Sequence, residues 1–168
     1  MKQQVKVKKL NDKAILPTYG SKCSAGSDLY ACMDAPVNIL PGETVLVKTG
    51  LAMAIPEGYA GLIYARSGLA TKKGLAPANK VGVIDADYRG EIMVPLHNHS
   101  RVAVTVEHGE RIAQMVITPF LTADYLLTDE LDATERGEGG FGSTGTKKDN
   151  LYGYILDNLT RLCFTIIE

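Results

Sequence analysis

In Val81-Gly82-Val83-Ile84-Asp85 an apolar run ends on a carboxylate, and Ala86-Asp87-Tyr88-Arg89-Gly90 adds a second acid, an aromatic ring and a glycine. Val81, Val83 and Ile84 predict a buried strand stopping at Asp85, then a turn over residues 87–90 and a returning strand over 91–96. Such a hairpin can hold Asp85 at the mouth of a pocket beside Tyr88, a seat for a general base next to a flat ligand. An ordinary polar hairpin tip would carry the same residues. Two further stretches suit an anion. Ala65-Arg66-Ser67-Gly68 sets a guanidinium and a hydroxyl where a strand gives way to a helix, whose first turn has unpaired N–H groups. A plain capped helix is the simpler use of those residues. Arg136-Gly137-Glu138-Gly139-Gly140-Phe141-Gly142-Ser143-Thr144-Gly145 holds five glycines in ten residues. Its N–H groups can turn toward an anion, with Arg136 as a fork and Ser143 and Thr144 as hydroxyls. The alternative is a flexible linker. Residues 137–142 fit G-x-G-x-x-G, but no βαβ unit surrounds them, and no Gly-Lys-Ser/Thr makes a P-loop. Gln114 interrupts an apolar strand and Asp28 opens another; either could be surface decoration.

The elements that must position these residues are short. Strands are expected at 5–7, 28–31, 37–40, 44–47, 51–55, 59–65, 81–85, 92–96, 102–106 and 112–117, punctuated by Pro41-Gly42 and Pro56-Glu57-Gly58. Strands this short with turns this regular indicate an all-β barrel or sandwich. One helix is expected from Ser67 to Lys73, with Ser67 as its cap and Gly74 as its stop. At 168 residues the chain is long enough for one real core. A formal net charge of −1 gives no reason to expect nucleic-acid or membrane binding. Cys23, Cys32 and Cys163 lack CxxC spacing and are expected as free thiols in a reducing, cytoplasmic compartment. His97, His99 and His108 make no metal-ligand pattern; His97 and His99 are expected to flank a hairpin turn.

Five stretches, in chain order, resemble the five motifs of the trimeric deoxyuridine triphosphate nucleotidohydrolases, the dUTPases. They are Ala25-Gly26-Ser27-Asp28-Leu29-Tyr30-Ala31, the Arg66-Ser67-Gly68 stretch, residues 79–90, Gly109-Glu110-Arg111-Ile112-Ala113-Gln114-Met115, and residues 136–145. The likeness spans residues 3 to about 146. Ala65 stands where the family usually has Pro, and Glu110 where it usually has Asp.

The resemblance implies a jelly-roll-like β-barrel with one short helix, assembled as a homotrimer with active sites shared between subunits. It implies a barrel over 1–135, a Gly-rich lid over 136–148, and hydrolysis of dUTP to dUMP and pyrophosphate with Mg²⁺. By position, Asp85 would deprotonate the water attacking the α-phosphorus. Asn79, the Val83 and Ile84 backbone and Met93 would surround the deoxyuridine, with Tyr88 under the deoxyribose where a 2′-hydroxyl would clash. Arg66, Ser67, Gly68 and Gln114 would contact phosphates, and Asp28 would hold Mg²⁺ through its waters. Arg136 would pair with the terminal phosphate, Phe141 would cover the uracil, and Gly142, Ser143 and Thr144 would complete the cradle. A related dCTP deaminase would need a Glu where this chain has Pro95. A nucleotide-gated partner-binding protein on the same scaffold is the other alternative.

The extension over 149–168 lies outside the resemblance. Leu151, Ile155, Leu159, Leu162 and Ile166 fall on one face of an amphipathic helix, which predicts packing against the trimer or a partner. The strand-like Cys163-Phe164-Thr165-Ile166-Ile167 and a loosely attached tail are the competing expectations.

Overall fold

Ile92, Val94 and Leu96 alternate with Met93, Pro95 and His97, and in the computed structural model the first three are fully buried. The structure describes residues 3–140. In chain order the elements are β1 (Lys6–Lys9), β2 (Thr18–Tyr19), β3 (Ser27–Tyr30), β4 (Val37–Ile39), β5 (Thr44–Ala54), β6 (Tyr59–Tyr64) and α1 (Ser67–Lys73). There follow β7 (Leu75–Pro77), β8 (Gly82–Ile84), β9 (Glu91–Asn98), β10 (Val104–Val106) and β11 (Arg111–Pro119). A four-stranded sheet runs β1-β5-β9-β7 and a five-stranded sheet β2-β3-β11-β6-β8, with β4 and β10 as a separate pair. All the pairings are antiparallel. Val47, Leu51, Val94 and Leu96 from one sheet share a core with Leu29, Ile63, Ala113 and Met115 from the other. The architecture is the expected all-β, jelly-roll-like one with a single short helix among the described residues, and no described helix is long and apolar enough to cross a membrane.

Three expectations of local structure are corrected, two of them in the strands around the Asp85 loop. Residues 44–47 and 51–55 are not separate strands but one, β5, because its ladder with β9 continues past an irregularity. The register moves from Lys48 opposite Met93 to Ala52 opposite Glu91, so two extra residues bulge out of β5. Gly50 makes this possible: its φ is +68°, and a Cβ there would lie 2.8 Å from the Cys32 sulfur. Nor do residues 81–85 and 91–96 form a hairpin ladder. β8 pairs with β6 in one sheet, whereas β9 pairs with β5 and β7 in the other. The loop over 85–90 therefore crosses between sheets. β8 is an edge strand that buries Gly82 and turns Val83 outward, 59% exposed.

The end of β9 is a second crossing. Asn98 is fully buried and donates to the Ile39 and Val102 carbonyls at 2.9 and 2.8 Å. Its Oδ1 accepts from the Ser100 N–H and hydroxyl at 2.9 and 2.7 Å. His97 and His99 thus flank a corner tied to β4, not a hairpin between paired strands. Cys23 and Cys32 are free thiols, as expected. The chain divides into a unit ending at Ala123 and a second beginning at Asp124. Residues 124–140 carry no strand or helix. Asn98→Ala removes the partner of several backbone groups at once, so urea unfolding should show a loss of about 2–4 kcal/mol.

Candidate functional site

β11 lies between β3 and β6, with Gln114 opposite both Asp28 and Tyr64. Ser27, Leu29, Ala113, Met115 and Ile63 face the core, so Asp28, Gln114 and Tyr64 form a row on the outer face of the sheet. Strict alternation would put Arg111 and Gln114 on opposite faces. A bulge decides otherwise: Arg111 is opposite Tyr30 and Ala113 opposite Leu29, so one extra residue stands in β11. Ile112 and Ala113 are both buried, and Arg111 joins Gln114 on the outer side.

These side chains line a cleft of about 470 Å³. Asp28 is its electrostatic centre, with 13% of its side chain exposed. The Arg66 Nε donates to its Oδ1 at 2.7 Å, and the Arg111 Nη1 donates to its Oδ2 at 3.3 Å. Arg66 also donates to the Arg111 carbonyl at 3.3 Å, tying the two basic residues together. Two guanidiniums against one carboxylate leave this cluster net positive, which suits a polyanion. Gln114 donates to the Ala65 carbonyl at 2.9 Å and so fixes the corner from which α1 starts. Ser67 and Gly68 open that helix at the cleft wall. The N-cap is Arg66 rather than the expected Ser67, with no side-chain cap bond; Gly74 ends the helix at φ 68°, as expected.

Lys73, in the last turn of α1, pairs with Glu110 at 2.7 Å just before β11. Burial pushes the Glu110 carboxyl up, but the Lys73 ammonium and the Glu107 N–H outweigh it and hold it below its ordinary value. The tie is therefore fully present at neutral pH and is lost as pH falls through the depressed Glu110 value. Glu110→Gln should flatten the acid side of the stability curve, measured by urea unfolding between pH 7 and pH 4.

The Asp85 loop is a second cluster. Asp85 is exposed just past β8, and its carbonyl accepts the Tyr88 N–H at 3.2 Å. The Tyr88 hydroxyl donates to the Glu91 carbonyl at 3.1 Å, folding the ring so close over Gly90 that any side chain there would overlap it. Arg89 braces the turn, donating to the Ala86 and Tyr88 carbonyls at 2.6 and 2.9 Å. Asn79 is held by an unusual turn: Val81 donates to its carbonyl at 2.7 Å across Lys80, whose φ is +64°. Met93 sits on β9 opposite Lys48.

The structure brings Asp28, Arg66, Ser67, Gly68 and Gln114 together, and separately Asn79, Val83, Ile84, Asp85 and Tyr88. It does not join the two groups. Ile84 is opposite Gly61 near the start of β6, whereas Arg66 lies beyond its end. At about 3.3 Å per residue, the step from Gly61 to Arg66 sets Ile84, and Asp85 beyond it, roughly 15 Å from Arg66 along the strand. None of Asn79, Asp85, Tyr88 and Met93 lines the cleft. The Arg136 Nε donates to the Gly139 carbonyl at 2.6 Å. Phe141, Gly142, Ser143, Thr144 and the 149–168 extension lie outside the described residues. Sequence reasoning did not single out Arg111, Ser24 or Tyr64 as site residues, although all three line the cleft. An arginine three residues before Gln114 was the available signal, and the bulge hid it.

Fold and cleft define a jelly-roll-like protein with a positively charged cleft on the outer face of one sheet. Residues 12–145 match the family model described as dUTPase. A deoxyuridine 5′-triphosphate nucleotidohydrolase of Desulfotalea psychrophila is 55% identical over 130 residues, 77% of this chain and 87% of that protein. One from Syntrophotalea carbinolica is 50% identical over 141 residues, 84% of this chain and 96% of that protein. The structure of the Staphylococcus bacteriophage 80alpha dUTPase with dUpNHpp superimposes with a TM-score of 0.78 at 32% identity, covering 86% of this chain and 100% of that one. The chain belongs to the dUTPase family. Arg111→Gln should leave the fold intact and weaken pyrophosphate binding roughly tenfold, the effect of losing one charged hydrogen bond, as read by calorimetry.

Proposed function

We propose that this chain hydrolyses dUTP to dUMP and pyrophosphate as a homotrimer whose sites combine the cleft of one subunit with the Asp85 loop of another. The separation of the two clusters along β6 carries this reading, because a water-activating carboxylate must stand within hydrogen-bond reach of the reacting phosphate. The exposure of Leu121, at 98%, at the end of the first unit supports assembly of further copies. In such a site Asp85 takes the proton of a water that attacks the α-phosphorus. The bond to the bridging oxygen breaks, and pyrophosphate leaves. Arg66, Arg111, Ser67 and Gln114 hold the phosphates and meet the charge that develops on the leaving group. Tyr88, fixed over Gly90, packs under the deoxyribose, while Asn79, Met93 and the Val83 and Ile84 backbone frame the base.

The metal is held indirectly in this reading. Among the described residues no cluster of three His, Cys, Asp or Glu side chains can hold an ion. Asp28 already receives one hydrogen bond on each oxygen, which leaves lone pairs for metal-bound water. Asp28 would then hold a hydrated Mg²⁺ through its waters, and the ion would supply neutralisation of phosphate charge. Residues 136–148 act as the lid, with Arg136 on the terminal phosphate, Phe141 over the uracil and Gly142, Ser143 and Thr144 as the cradle. The protein works in the cytoplasm. Pro95 provides no acid for deamination. The staphylococcal phage dUTPases are described as controlling transfer of virulence genes by a G protein-like mechanism. A partner-binding role is therefore the second reading, beside catalysis.

Asp85→Asn should keep fold and nucleotide affinity while losing roughly 10²–10⁴-fold in kcat. Arg66→Ala should be similarly inactive. Refolding the two together should restore activity at roughly a quarter of the sites at equal mixing, since each site draws on two chains of a cyclic trimer. A mixture as inactive as its components would rule out shared sites.

A further inference from the structure

The loop carrying Asp85 and Tyr88 ends at Glu91, whose carboxylate the mechanism above does not use. Glu91 Oε1 accepts the N–H of Gly50 at 2.8 Å, in the bulge of β5. One residue on, the Ile92 carbonyl accepts the hydroxyl of buried Thr49 at 2.6 Å. The first two residues of β9 are therefore clamped to the bulge by side chains, where the ordinary ladder between β5 and β9 is interrupted. The backbone of the same Glu91 supplies the carbonyl that receives the Tyr88 hydroxyl at 3.1 Å. Tyr88 in turn closes the turn back to Asp85 through its N–H.

The backbone ladder resumes with Glu91 opposite Ala52, and among the described residues the Glu91 carboxylate is the loop's one side-chain hydrogen bond into the bulge. Arg89 bonds only within the turn, and among the described residues Glu91 has no ion-pair partner. Its half-buried carboxylate is matched by one backbone N–H at a bulged glycine. Gly50 cannot readily be replaced, because its φ is positive and the space beside it is taken by Cys32 and Ala14. Donor and acceptor thus make a specific pair, and its far end is the carbonyl on which the Tyr88 ring hangs.

We infer that Glu91 is a positioning residue: by holding the start of β9 to the Gly50 bulge it sets the height of the Tyr88 ring and so the rejection of 2′-hydroxy nucleotides. The inference rests on the proposed place of Tyr88 under the deoxyribose. A displacement of the ring admits a 2′-hydroxyl and loosens contact with a deoxyribose, so the two substrates respond in opposite senses. Loss of folded protein would lower both rates together and leave their ratio unchanged.

The test measures kcat/KM for dUTP and UTP, on protein checked for fold and oligomeric state, in Glu91→Ala, Glu91→Gln, Tyr88→Phe and the Glu91→Ala/Tyr88→Phe pair. Glu91→Ala should lower the dUTP-to-UTP ratio roughly tenfold or more. Glu91→Gln should keep it within about twofold, because an amide oxygen still accepts the Gly50 N–H. Tyr88→Phe removes the hydroxyl link and should lower the ratio as well, and the pair should lose little more than the worse single variant, because both act through one link. A parental ratio in folded Glu91→Ala protein overturns the inference, as does additive loss in the pair. If Glu91→Ala does not fold, Glu91→Asp draws the carboxylate back by one methylene, and an unchanged ratio there overturns it equally. An unchanged ratio in Tyr88→Ala would instead remove Tyr88 from the site and take the inference with it, while dUTP hydrolysis could still stand.

Discussion

The whole arrangement depends on the register of β11. A strand has two faces, and a slip of one residue exchanges them completely. β11 packs Ile112, Ala113 and Met115 into the core while presenting Arg111 and Gln114 to solvent, and only the bulge at its start makes that set compatible. Its partners inherit the register: Asp28 on β3 and Tyr64 on β6 face outward because they lie opposite Gln114. The Asp28 carboxylate between Arg66 and Arg111 follows from that placement. Hydrophobic burial on one side of the sheet thus fixes the geometry of charge on the other.

The crossings between sheets do the remaining positioning. Asn98 bonds three segments at one corner, and the 85–90 loop spans another. Both are short and heavily hydrogen-bonded, so the ends of β8 and β9 hold their spacing although the two strands never pair. Tyr88 and Asp85 occupy a bridge supported on both sides, which gives an exposed loop the rigidity of its anchors.

Much of this was legible in the sequence. Residues 67–73 were readable as a helix because Ser67, a residue of capping type, and a stopping Gly74 bracket them, and the core of β9 because the apolar run 92–96 follows a turn signal at 87–90. The site residues were legible through their resemblance to five ordered motifs, which no periodicity argument could have joined. Sheet partners were not legible. Alternation tells which face a residue takes but not which strand lies beside it, so β8 and β9 looked like a hairpin. Lys48-Thr49-Gly50 looked like a break because a glycine with positive φ marks a turn and a bulge equally well. β2 and β7, at two and three residues, are too short to show any pattern. Arg111 was hidden by the one residue that departs from alternation.

The outer row also bears on how such a protein can change over generations. Asp28, Gln114 and Tyr64 are interleaved with core residues yet stand on the opposite face of the sheet. Point substitutions at these positions leave the core side chains in place, although Asp28 and Gln114 also hold Arg66, Arg111 and the Ala65 corner. Deletions are a different matter, since removing one residue from the middle of β11 would send Gln114 inward and a core side chain out. Inheritance along this strand is therefore permissive in letters and strict in spacing.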